Sequence, residues 1–168
     1  MFKRIVLAVD GSESSEVAAS FVAAMALRDS SAVRVVFINE FLVGGRGFAR
    51  KTPKEAQAMV DGVVRSLVIQ GVPAHGEVRV AYAFDMASRI VDVAEDWAAE
   101  VIVFGSRRRR TTGLFGRLTG LGMREKVTAL TALPTITAPA PLRVSRRQRV
   151  DENIFALPLS DGAEAKAR

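Results

Sequence analysis

The sequence predicts an α/β domain built on a doubly wound, open, parallel five-stranded sheet with helices on both faces. Short β-branched runs alternate with single amphipathic helical stripes, the pattern of strands joined by helical crossovers. Two of the runs stop abruptly in Asp10-Gly11-Ser12 and Gly105-Ser106, as strands do when they open into loop and helix. At 168 residues there is room for one such core and too little for two.

The first strand covers 3–9 and ends at Asp10-Gly11-Ser12. A helix follows, with Val17, Ala18, Phe21, Val22 and Met25 spaced along one face. Asp29-Ser30-Ser31 stops it, and Val33–Ile38 reads as the second strand. Gly44-Gly45-Arg46-Gly47 marks a flexible loop, without the Gly-Lys-Ser/Thr ending of a P-loop. Thr52-Pro53-Lys54-Glu55 then places an N-cap, a first-turn proline and a capping-box glutamate in order. Ala56, Met59, Val60, Val63, Val64, Leu67 and Val68 form that helix's apolar stripe, which Gly71 and Pro73 terminate. Val78–Tyr82 is the third strand, and Asp85 caps a helix carrying Met86, Ile90, Val93, Ala94 and Trp97. Val101–Phe104 is the fourth strand, residues 113–131 a glycine-interrupted helix, and Thr135-Ile136-Thr137 the last strand. The domain thus spans 1–141. Residues 142–168 read as a poorly ordered basic tail, in which Ile154–Leu159 is apolar enough to fold back on the domain or to dock a partner.

Composition narrows the function classes. The longest apolar runs are strand-sized, so no membrane-crossing helix is expected. Met1-Phe2-Lys3-Arg4 leads straight into a β-like run and not into a signal peptide. The absence of cysteine excludes disulfides and thiolate chemistry and fits a cytoplasmic location. A single histidine, His75, set between a helix terminator and a strand, reads as a surface loop residue and gives no metal site. Ser12 and Ser106 lack the nucleophile-elbow pattern and suit turn or cap roles, while Trp97 completes a core stripe. With no acid/base or nucleophile constellation, no catalytic residue is assigned and the chain is read as a non-enzyme.

In a doubly wound sheet the ligand crevice lies at the carboxyl ends of the strands. Those ends supply Asp10, Ile38-Asn39 and Gly105-Ser106. Next to them runs Arg107-Arg108-Arg109-Arg110, within a net charge of +6. Three readings of this run stay open: a solvated loop, a remodelled phosphate site, or a patch for an anionic partner. No flanking aromatic or groove-entering helix supports nucleic acid recognition.

Ile5-Val-Leu-Ala-Val-Asp10-Gly-Ser-Glu13, Ala99-Glu-Val-Ile-Val-Phe-Gly-Ser106, Glu125-Lys-Val127 and Ala132-Leu-Pro-Thr-Ile-Thr137 together resemble the universal stress protein family over residues 3–138. The resemblance implies the strand order 3-2-1-4-5 and a homodimer paired through the last strand, here Thr135, Ile136 and Thr137. It also implies that some members bind ATP: an aspartate ending the first strand contacts adenine, and an aliphatic residue ending the second packs on the base. A motif of glycine, two residues, glycine, nine residues and Gly-Ser/Thr holds ribose and phosphates. Asp10, Ile38 and Gly105 match this pattern. Arg108 stands at the second glycine, and the final pair falls on Gly120-Leu121 or Leu121-Gly122, without the hydroxyl in either register. The implied function is a stress-response regulatory or binding module whose site for ATP or another adenine nucleotide is weakened or lost. The alternative is a basic adaptor binding an anionic macromolecule or ligand through Arg107–Arg110 and the arginine-rich tail.

Overall fold

The computed structural model describes residues 1–42, 48–106 and 122–140. In chain order these form β1 (Arg4–Val9), α1 (Glu13–Asp29), β2 (Ala32–Leu42), β3 (Phe48–Ala49), α2 (Pro53–Ile69), β4 (Ala74–Tyr82), α3 (Met86–Asp96), β5 (Val101–Phe104), α4 (Met123–Leu130) and β6 (Thr135–Thr137). The five parallel strands lie in the order β4-β2-β1-β5-β6, which is the predicted 3-2-1-4-5 once the short β3 is left out of the count. The predicted loop glycines 44–47, the arginine run and the 142–168 tail lie outside the described residues.

Alternation along the strands divides the core into two layers. Ile5, Leu7, Val33 and Val35 face α1 and α2 and meet Val22, Val60 and Leu67. Val6, Val36, Ile38 and Ile102 face the opposite way and meet Ile90, Val93 and Val127 of α3 and α4. Ile5, Val6 and Leu7 are all fully buried, which explains why β1 reads as a continuous apolar run.

α1 lies on the sheet through Ala18, Ala19, Val22, Ala23 and Ala26, while Val17, Phe21 and Met25 are only half-buried. The predicted stripe thus packs on the core through Ala18 and Val22, with Phe21 and Met25 partly buried against it, and the buried face extends beyond it to Ala19, Ala23 and Ala26. Small side chains let the helix backbone approach the strands closely, and the bulkier ones fill the flanks.

Two strand limits differ from the sequence reading. β2 continues past Ile38 to Leu42, because β4 pairs along one edge as far as Phe41 while β3 pairs with Phe41 and Leu42 along the other. β3 thus takes the edge that β1 leaves when it ends opposite Phe37. β4 begins at Ala74 and contains His75, which is exposed on a strand and not in a loop. Gly76 does not break this strand: a side chain there would run into Val60 and Val64, so its smallness admits α2. Of the predicted helix 113–131, α4 covers Met123–Leu130, and residues 113–121 lie outside the described residues. Trp97 packs against the margin of the core as the half-buried C-cap of α3, with the Arg34 guanidinium 5.0 Å from its ring centroid. Asp85 occupies the N-cap of α3 without a side-chain cap bond.

α2 starts as the sequence requires. The Glu55 N–H donates to the Thr52 hydroxyl oxygen at 3.3 Å, and the Thr52 N–H donates to Glu55 Oε2 at 2.8 Å. The bond from the Thr52 N–H, then that from its hydroxyl, holds the Glu55 carboxyl below the ordinary glutamate range against some desolvation. A carboxyl lowered in the folded state adds stability above its unfolded value, and that stability is lost as pH falls through the lowered folded value. NMR titration of Glu55 is expected to give a lower value in the native chain than in the same chain in denaturant. The amide of Thr52 should lose exchange protection as the native group protonates. Equal values in the two states would refute the capping account.

Candidate functional site

The chain leaves β1 through a turn that favours glycine. Gly11 has φ +76°, in the left-handed region, and an added Cβ would lie 2.6 Å from the Met59 sulfur. Ser12 then caps α1, its carbonyl accepting the Ser15 N–H at 2.9 Å. Ser15 is 4% exposed and turns back onto Asp10. Its hydroxyl donates to Asp10 Oδ1 at 2.6 Å and accepts the Asp10 backbone N–H at 3.0 Å. The Ser12 N–H also donates to Oδ1, at 3.0 Å. The carboxylate is thus fixed from two directions at the carboxyl end of the central strand.

The neighbouring strand ends are fastened as firmly. Asn39 is 2% exposed; its amide donates to the Lys51 carbonyl at 2.7 Å and its oxygen accepts the Lys51 N–H at 3.0 Å. This holds the start of α2 against the end of β2. Beyond β5, a Cβ on Gly105 would lie 2.7 Å from the carbonyl oxygen of Ser14 and 2.8 Å from its carbon. The Ser106 hydroxyl points to the Pro139 carbonyl at 3.4 Å. Gly122 is the N-cap of α4, where it offers no side-chain bond.

Register brings the predicted residues to one level. Val9 pairs with Phe37, and Ala8 pairs with Phe104. One step on, Asp10 lies level with Ile38, and Val9 with Gly105, where the strand order reverses direction. Ile38 is 5% exposed, its side chain engaged mainly in the core beneath α3. Arg107–Arg110 and Gly120 lie outside the described residues. The sequence reading missed the part played by Ser15, although a serine within a stripe of alanines five residues after Asp10 is its visible trace. Asn39 was noted only as a strand end; a buried amide there was the signal of a clamp.

Elsewhere on this end of the sheet, Phe41, Tyr82 and Phe84 form an aromatic ladder, with centroids 5.5 and 5.6 Å apart. A cavity of about 240 Å³ lies between Phe41, Tyr82, Asp85 and Arg89, away from Asp10. Among the described residues no group of three His, Asp or Glu side chains gathers as a metal cluster, and no helix is long and apolar enough to cross a membrane.

Residues 1–119 match the model of the universal stress protein family. No curated protein matches the chain. Among solved structures, it is similar to a universal stress family protein from Burkholderia pseudomallei, at 17% identity and TM-score 0.62 over 82% of this chain and 96% of that one. It is also similar to the Archaeoglobus fulgidus universal stress protein in complex with dAMP, at 24% identity and TM-score 0.59 over 83% and 98%. An Arabidopsis thaliana family protein with AMP bound aligns at 12% identity and TM-score 0.58 over 83% and 92%.

The Gly105–Ser14 contact makes a direct prediction. Backbone cannot give way as a flexible side chain can, so Gly105→Ala should lower stability by about 1–3 kcal/mol, the usual cost of overpacking. Urea unfolding measures this, and amide shifts of residues 12–15 should move with it. An unchanged midpoint and unchanged shifts would mean that α1 is not seated on this glycine.

Proposed function

Since the chain belongs to the universal stress protein family, we propose that it is a non-enzymatic regulatory or binding module whose crevice takes an adenine nucleotide weakly. The observation that carries this reading is the common level of Asp10, Ile38 and Gly105 at the reversal of strand order. A carboxylate is an acceptor only, and the exocyclic amino group of adenine is a donor that suits it. The backbone around Gly105 and the first turn of α1 then face the sugar and phosphates. The dAMP and AMP complexes of the structural neighbours support an adenine nucleotide as the ligand class.

Weak binding follows from the phosphate end. Arg108 replaces a glycine that would let backbone approach the phosphates, and no hydroxyl follows at 121 or 122. A missing donor to a phosphate costs about 1–3 kcal/mol. Calorimetric titration should therefore detect weak ATP binding, lost in Asp10→Ala and strengthened when Leu121→Gly and Gly122→Ser are combined. Tight, magnesium-dependent binding by the unmodified chain would overturn the remodelled phosphate end. No binding of any adenine nucleotide would overturn the whole reading.

The same module pairs, in this reading, as a cytoplasmic homodimer through β6. Thr135, Ile136 and Thr137 form an outer strand of the sheet, and a bare strand edge is a template for pairing. The Thr135 hydroxyl meets that of Thr128 at 2.8 Å, and Thr137 accepts from Arg124 at 3.0 Å, so α4 braces the strand. Sedimentation should find dimer at tens of micromolar, about −6 kcal/mol of association. Monomer alone at that concentration would refute the pairing.

A further inference from the structure

We infer that Ser15 is a positioning residue that sets the nucleobase preference of the crevice by fixing the plane of the Asp10 carboxylate; this rests on the adenine-nucleotide reading above. Ser15 and Asp10 are tied reciprocally. The hydroxyl gives its proton to Oδ1 at 2.6 Å and takes the Asp10 N–H at 3.0 Å, so one side chain holds both the carboxylate and the backbone that carries it. The Ser12 N–H supplies a second donor to the same oxygen. Two donors converging on Oδ1 restrict the carboxylate about its side-chain torsions. At 4% exposure, the Ser15 hydroxyl is shielded from bulk water.

The position of Ser15 is itself imposed by the fold. It lies one residue after Ser14, whose carbonyl rests on Gly105, and within the first turn capped by Ser12. Asp10 is therefore held by a turn that is registered against β5, and not by its own exposed rotamer. A carboxylate held at Oδ1 in this way has a restricted set of acceptor directions. It favours a base with an amino group at that edge, as in adenine, over one with a carbonyl oxygen there, as in hypoxanthine.

The test titrates AMP and IMP separately into the ¹⁵N-labelled full chain, wild type and Ser15→Ala. Alanine preserves helix propensity and removes only the hydroxyl, so the fold is expected to persist. Ser20→Ala serves as the matched control, because Ser20 lies on the same helix and bonds only to the Glu16 carbonyl. Wild type and Ser20→Ala should prefer AMP. Ser15→Ala should lose about tenfold in AMP affinity, near 1.4 kcal/mol, with little change for IMP. Amide exchange at Asp10 should also speed up in Ser15→Ala without ligand. A merely structural role would weaken both nucleotides alike and leave their ratio intact. An unchanged ratio in Ser15→Ala, with wild type binding normally, overturns the assignment alone. A wild type that binds neither nucleotide overturns the adenine reading and the assignment with it.

Discussion

The seating of the first turn of α1 on the backbone of β5 is the contact from which the rest of the crevice takes its shape. Ser14 rests where any side chain on residue 105 would stand, and Gly11 turns under Met59 to deliver the helix to that spot. Together these two glycines bring α1 and α2 down onto the carboxyl ends of the central strands. Once the turn is seated, the positions of Ser12 and Ser15 are decided, and through them that of Asp10. Gly105 matches the family's phosphate motif, yet its smallness is already required by packing within this chain.

Both faces of the sheet mix large side chains with small ones. Beneath α1 and α2, alanines and Gly76 sit beside Ile5, Leu7, Val60 and Leu67. Beneath α3 and α4, Ala87 and Ala94 sit beside Ile90, Val93, Ile102 and Phe104. The polar groups that the core must enclose are few and fully engaged: Ser15 by Asp10, Ser31 by the Phe2 carbonyl, and Asn39 by Lys51. Ser15 and Ser31 lie at the start of α1 and just before β2, and Asn39 lies within β2 where the chain entering α2 crosses it. Among the described residues no buried side-chain polar atom lacks a partner.

The parts of the fold legible in the sequence were those with a local cause. The capping box of α2 needs only Thr52, Pro53 and Glu55, and the central strands need only uninterrupted apolar runs. What escaped depended on neighbours. Gly76 looks like a strand breaker until Val60 is placed above it, and Asn39-Glu40 looks like the end of β2 until two further strands pair beside it. The buried face of α1 is wider than the apolar stripe, because small alanines beside it also seat on the sheet. At the crevice, Asp10, Ile38 and Gly105 could be named from strand ends. Ser15 could not, because a hydroxyl turned inward reads in sequence like any helical serine.

The Asn39–Lys51 clamp has a consequence for how this protein can be altered. Both ends of the 40–50 segment are fastened to one another, by the paired amide bonds and by the Arg50 N–H on the Glu40 carbonyl at 2.8 Å. A loop closed at its stem is thermodynamically insulated: doubling its length adds only about 0.6 kcal/mol of closure entropy. The α2 start and its capping box are set by the stem and not by what the stem encloses. This segment is therefore the natural place to graft a reporter domain or affinity peptide, since the stem that leads into α2 closes on either side of it.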